Sequence, residues 1–172
     1  MTNHIVLFEP LMPANTGNIA RTCAGTNSVL HLIKPLGFTI NDKTVKRAGL
    51  DYWDKVEIVY HENLPEFLAT VPDKKRLFVV SKFAKRAYSE ADYTSTNNEE
   101  DNYLLFGKET TGLPEAFMRS YDDCAIRIPQ NDDNIRALNL SNSAAIVIYE
   151  VLRQQGFPNL EMSHLYENDK LK

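Results

Sequence analysis

A chain of 172 residues suits one domain with its own hydrophobic core. With 43% hydrophobic and 24% charged residues and a formal net charge of −4, it argues against a general polyanion-binding surface, though a local basic face survives that balance. Two cysteines, Cys23 and Cys124, are too few for a disulfide framework, and His4, His31, His61 and His164 lack ligand spacing, so reduced thiols, a cytoplasmic location and no metal are expected. The opening MTNHIVLFEP lacks the features of a signal peptide, and no run approaches the ~18 apolar residues of a membrane span.

In chain order, His4–Glu9 reads as a short apolar strand closed by Pro10. Asn18–Asn27 follows as a helix, with Asn15-Thr16-Gly17 as its cap and turn. Val29–Lys34 is a second strand, Asp42–Ala48 a short basic helix, Val56–Tyr60 a third strand and Leu64–Val71 a helix. Arg76–Ser81 is a fourth strand, Tyr103–Phe106 a fifth and Ala125–Ile128 a sixth, with a helix from Leu113 between the last two. The polar, acidic stretch Ala87–Asn102 reads as a surface loop. A final helix runs from Leu138 to about Gln155 and stops at Gly156 and Pro158. Apolar strands alternating with helices indicate an α/β fold, a mostly parallel sheet flanked by helices, as one domain over 1–158 with a fraying tail over 159–172.

In such sheets the ligand crevice lies beyond the carboxyl ends of the strands. Three polar loops sit there: Pro10–Gly17, Gly107–Gly112 and Gln130–Ala137. Each opens into a helix start, where free N–H groups favour polar ligands. No GxGxxG or phosphate-loop signature is present, which leaves a flavodoxin-type nucleotide binder without support.

The residues of these segments resemble the SPOUT superfamily of RNA methyltransferases, in particular its small ribose 2′-O-methyltransferases. The resemblance rests on Asn15-Thr16-Gly17-Asn18 with Arg21, on Phe106-Gly107-Lys108-Glu109-Thr110-Thr111-Gly112-Leu113, and on Ile128-Pro129 followed by Leu138-Asn139-Leu140-Ser141. The run Arg47-Ala48-Gly49-Leu50-Asp51-Tyr52-Trp53 and the pair Tyr149-Glu150 with Arg153 resemble its shortest branch, which methylates the wobble nucleotide of tRNA. The resemblance implies a carboxyl end tied in a deep trefoil knot, S-adenosylmethionine as cofactor, a homodimer, and tRNA as partner through its anticodon stem-loop. One departure stands out. Ala137 replaces the usual serine, in a loop one residue longer than usual, so only its backbone is carried over.

By resemblance, Arg21 acts at the reacting hydroxyl or an adjacent phosphate; orientation is the favoured role because a guanidinium is a poor base, and action as the general base is the alternative the family offers. Val80, Gly107, Ile128, Ala137, Leu138 and Asn139 hold the cofactor. Gly107 is read as the place where backbone passes a ligand closely, or else as a plain turn glycine. Glu109 either orients Arg21 or binds backbone N–H groups, the second being the safer reading. Asn139 and Ser141 either hold the methionine end or cap the last helix. Asn15, Asn18 and Arg47 support RNA, and Tyr149 packs or makes a dimer contact. Lys34, Lys43, Lys46, Arg47, Lys82, Lys85 and Arg86 are candidate RNA cations, with Glu99, Glu100 and Asp101 opposing them. The competing readings are the same chemistry at another RNA site and a knotted RNA-binding module without enzymatic activity.

Overall fold

A computed structural model of the protein describes residues 1–39, 53–94 and 100–163. Six strands form one sheet: β1 Asn3–Phe8, β2 Val29–Ile33, β3 Ile58–His61, β4 Leu77–Val80, β5 Asn102–Phe106 and β6 Ala125–Ile126. Their order is β3-β2-β1-β5-β4-β6, and all neighbours pair in parallel. Parallel strands covered on both faces must be apolar on both, and β1 shows how. Ile5 and Leu7 face one core cluster, while Val6 and Phe8 face the other.

Helices α1 (Pro13–Thr26) and α4 (Leu140–Gln155) cover the first face; α2 (Leu64–Ala69) and α3 (Glu115–Ser120) cover the second. Helix α4 buries Ala144, Val147, Ile148, Val151 and Leu152, a stripe at helical spacing that packs beside Ile19, Ala20 and Cys23 of α1. Among the described residues no helix is long and apolar enough to cross a membrane. Cys23 and Cys124 are free thiols in the core, and burial pushes Cys23 up to about 12.

Several sequence expectations change. Helix α1 begins at Pro13, not Asn18, because a proline in the first turn lacks an N–H that would go unpaired there anyway. Asn15, Thr16 and Gly17 are therefore buried helical residues rather than a cap. The stretch read as a surface loop carries Ala91 and fully buried Tyr93, and its last residue, Asn102, opens β5. The Tyr93 hydroxyl donates to the Tyr88 carbonyl at 2.6 Å, and the buried Arg76 guanidinium donates to the carbonyls of Tyr93 and Thr94 at 3.1 and 3.0 Å. The predicted helix Asp42–Ala48 lies outside the described residues. Past the helix, Phe157 and Leu160 pack against the core, so contacts continue beyond residue 158.

This β4–β5 connection also grips the chain after β6. Arg127 N–H donates to the Arg86 carbonyl at 2.9 Å, and Tyr88 N–H donates to the Arg127 carbonyl at 2.8 Å. Further on, the Gln154 side chain of α4 donates to the Ala91 carbonyl and accepts from Tyr93 N–H.

His4, His31 and His61 are not scattered in space, while His164 lies outside the described residues. Parallel register pairs His4 with Val29 and His31 with Val59, so His4, His31 and His61 form a diagonal row, each two residues further along the next strand, with ring nitrogens 2.8 Å apart at both junctions. His4 Nε2 faces the Asp101 carboxylate at 3.5 Å. Burial, then the neighbouring His4 and His61, hold His31 down to about 3. Among the described residues, no group of three His, Cys, Asp or Glu is arranged to hold a metal ion.

Candidate active site

A cleft of about 470 Å³ opens beyond the carboxyl ends of β4, β5 and β6. Val80 ends β4, Phe106 and Gly107 end β5, Ile128 follows β6, and Ala137, Leu138 and Asn139 lead into α4. All six positions expected to hold cofactor thus line one cavity, with Asn15 and Glu109 beside them. Strand ends produce this arrangement, since side chains there lose the helix cover that buries the strand interiors. Val80, Ile128, Leu138 and Leu140 are accordingly only half-buried and leave apolar surface facing the cleft.

Hydrogen bonds join the three sequence segments at this cleft. The Glu109 carboxylate accepts from the backbone N–H groups of Leu11 at 2.9 Å and Met12 at 3.1 Å, and from Asn15 Nδ2 at 3.1 Å. It thereby supplies the acceptor that the α1 N-terminus lacks in its own sequence, where Met12 offers no side-chain cap. Asn139 Nδ2 donates to Asn15 Oδ1 at 3.0 Å, while Asn139 Oδ1 accepts from the N–H groups of Ser141 and Asn142 as the cap of α4. The capping reading of Asn139 and the backbone-binding reading of Glu109 are the geometries observed. Ser141 does not line the cleft; its hydroxyl donates to Asn139 Oδ1 at 2.6 Å.

Gly107 is also required by the loop's own geometry. A Cβ there would lie 2.5 Å from the Gly112 carbonyl carbon and 2.6 Å from Leu113 N. The loop folds back on itself, with Gly112 N–H donating to the Lys108 carbonyl at 2.9 Å and Gly112 at φ 70°. The glycine is thus required by loop closure.

Other expected residues sit elsewhere. Arg21 is exposed on α1, six residues or about 9 Å along the helix from Asn15, and does not line the cleft. Asn18 shares its outward stripe, which runs Ala14, Asn18, Arg21, Gly25. Tyr149 is exposed on the matching stripe of α4, Asn142, Ile146, Tyr149, Arg153. Arg47, Lys43, Lys46 and Glu99 lie outside the described residues. Lys34 is paired with Glu62 at 2.6 Å, and Lys85 lies 3.9 Å from Asp122. Glu100 and Asp101 precede β5 and so stand at the opposite edge of the sheet, about 16 Å from the cleft end of that strand. They do not oppose a ligand there.

Arg136 was not singled out by sequence, although it stands in the polar loop. Its guanidinium donates to the Thr110 carbonyl at 2.8 Å, and its own carbonyl accepts from Lys82 Nζ at 3.2 Å, so it ties two walls of the cleft. A long cation in a loop beside a ligand crevice is the only sequence signal it carries. Among the described residues no histidine or cysteine lines the cavity.

Residues 2–149 match the SpoU rRNA Methylase family. A Lactobacillus gasseri protein named for cytidine(34) 2′-O-methylation of RNA is 63% identical over 172 residues, all of this chain and 91% of its own. A solved RNA methyltransferase structure from Bacillus anthracis is 48% identical with a TM-score of 0.86, covering 94% of this chain and 99% of that one. Another, described as giving insights into the 2-OH methylation of C/U34 on tRNA, is 36% identical with a TM-score of 0.78, covering 90% and 97%. The chain belongs to the SpoU methylase family.

Proposed function

We propose that this protein transfers a methyl group from S-adenosylmethionine to the ribose 2′-hydroxyl of the tRNA wobble nucleotide, a cytidine or modified uridine. The carrying observation is that three distant segments meet at one cleft, hydrogen-bonded through Asn15, Glu109 and Asn139. Support also comes from full-length similarity to proteins described by that reaction.

The cleft suits the cofactor in size, since small-molecule sites run from about 300 to 1,000 Å³. Half-buried Val80, Ile128 and Leu138 offer apolar surface for a flat heteroaromatic ring, and the loop backbones offer polar groups for its edges. When bound, the cofactor supplies an electrophilic methyl carbon. The chain contributes alignment: the Gly107–Gly112 loop and the Ala137–Asn139 segment form a rigid cradle, clamped by Glu109 and by Arg136. The Ala137 departure removes a hydroxyl and leaves the backbone group in place.

The reading includes a homodimer in which Arg21 of one copy completes the site of the other. The outward stripes of α1 and α4 support it, because they expose Ile146 and Tyr149 on the helix pair that carries Arg21. There Arg21 orients the reacting hydroxyl or its phosphate. The chain after β6, gripped by the β4–β5 connection, supports a trefoil knot. Free, buried thiols agree with action in the cytoplasm.

The test is methyl transfer from labelled S-adenosylmethionine into unmodified tRNA and into tRNA from a strain deleted for the gene. Label mapped to a wobble ribose supports the reading. Label elsewhere in RNA moves the substrate, and cofactor binding without label in any RNA overturns the enzymatic assignment.

A further inference from the structure

The turn after β4 presents Phe83 with 78% of its surface exposed, although the turn beneath it is fixed. Ala84 is buried, its N–H donates to the Ser81 carbonyl at 3.2 Å, and Phe83 N–H donates to Ser81 Oγ at 3.3 Å. A single exposed apolar side chain is ordinary. Position sets this one apart, because its ring walls two adjoining clefts: the one described above and a second groove of about 900 Å³. Phe8, Leu113, Pro114 and Met118 line the groove. Charges at the groove are matched internally, Lys108 with Glu9 at 2.5 Å and Arg119 with Glu115. A groove with apolar area and paired charges suits a flat neutral ring.

On the other side of Phe83 the cations differ. Lys82 Nζ lies 5.0 Å from the Phe83 ring centroid. Its hydrogen bond goes to the Arg136 carbonyl and that of Arg136 to the Thr110 carbonyl, neither of which neutralises a charge. The nearby Asp132 carboxylate pairs with Arg127 at 3.0 Å and attracts Lys82 only weakly. An aromatic face with Lys82 over it and Arg136 in the same cleft matches single-stranded RNA, whose bases stack and whose phosphates meet the charge.

We propose that Phe83 is the stacking platform for the nucleobase next to the methylated nucleotide, with Lys82 and Arg136 meeting the phosphate between them. The inference rests on the RNA methyl-transfer reading and adds a base-binding subsite to it. The fixed turn matters, since a platform already in place loses little conformational freedom on binding.

The experiment compares wild type, Phe83→Leu and Phe83→Trp. Leucine keeps apolar bulk without a π face; tryptophan enlarges that face. Methyl transfer into an unmodified anticodon stem-loop, cofactor affinity by calorimetry, sedimentation, and quenching of a fluorescent base analogue beside the target are measured together. Phe83→Leu should raise the KM for RNA about tenfold and lose the quenching, with kcat and cofactor affinity far less affected, while Phe83→Trp restores both. An unchanged KM in Phe83→Leu, with wild type active, overturns the subsite and leaves the methyl-transfer reading standing. Phe83-dependent quenching without methyl transfer by wild type supports the subsite and overturns the reaction. Failure of wild type to bind the stem-loop overturns both. A change of oligomeric state in Phe83→Leu places the ring between two copies and overturns the subsite.

Discussion

The side-chain amide of Asn139 donates to the amide oxygen of Asn15 at 3.0 Å across a sequence separation of 124 residues. Asn15 in turn donates to Glu109, so the orientation of each amide follows from its neighbour. Each partner also serves a helix start: Asn139 caps α4, and Glu109 accepts from the Leu11 and Met12 N–H groups just ahead of α1. Helix starts and cleft walls are therefore one hydrogen-bonded unit.

Removing its centre should loosen both. Glu109→Ala leaves the Leu11 and Met12 N–H groups without their acceptor and should destabilise the fold by about 1–3 kcal/mol. Cofactor affinity should fall with it, and Glu109→Gln, which keeps one acceptor oxygen, should be intermediate. Urea unfolding and calorimetric titration of S-adenosylmethionine measure the two effects. A variant as stable as wild type would show that water replaces the carboxylate.

Gly107→Ala should be a folding variant before it is a binding variant. Its Cβ meets backbone of Gly112 at 2.5 Å, and backbone cannot turn aside as a side-chain tip can. A loss of about 1–3 kcal/mol or more is expected, seen as a lower thermal midpoint without any ligand. An unchanged midpoint with weakened cofactor binding would restore the reading that the glycine makes room for a ligand.

Arg21→Ala should abolish methyl transfer and leave cofactor affinity nearly unchanged, because Arg21 lies outside the cleft of its own chain. Mixing it with a cofactor-deficient variant should recover part of the activity if two copies share a site. Full activity of Arg21→Ala alone would remove it from the mechanism.

The histidine row predicts acid sensitivity. His31 is held from 6.5 down to about 3 by burial and by the neighbouring rings, and burial also lowers His4 and His61. The unfolded chain then binds more protons than the folded one between those values. Stability is full above about pH 6.5 and falls as pH drops through that window, approaching about 1.4 kcal/mol per pH unit for each proton taken up. The urea midpoint should decline from about pH 6.5 to 5 while the His31 ring resonances of the folded protein stay untitrated. Titration of that ring in the native state would contradict the assignment.

The sequence by itself determined the alternation of strands and helices, because short apolar runs bounded by turn residues and helical apolar spacing are local properties of the chain. Leu64–Val71 and the Val29–Lys34 strand needed shifts of a residue or two at their ends. It also marked the three segments that line the cleft, since their glycines, amides and helix starts are local signals. What no local pattern carries is who meets whom. Tyr93 lies in a polar stretch and is buried because α4 and the Arg76 guanidinium close around it. Glu109 caps a helix that starts far upstream, and the three histidines become neighbours only through parallel register. Tertiary structure decided these because each depends on a partner remote in sequence, and a buried polar group is tolerated only where that partner completes its hydrogen bonds.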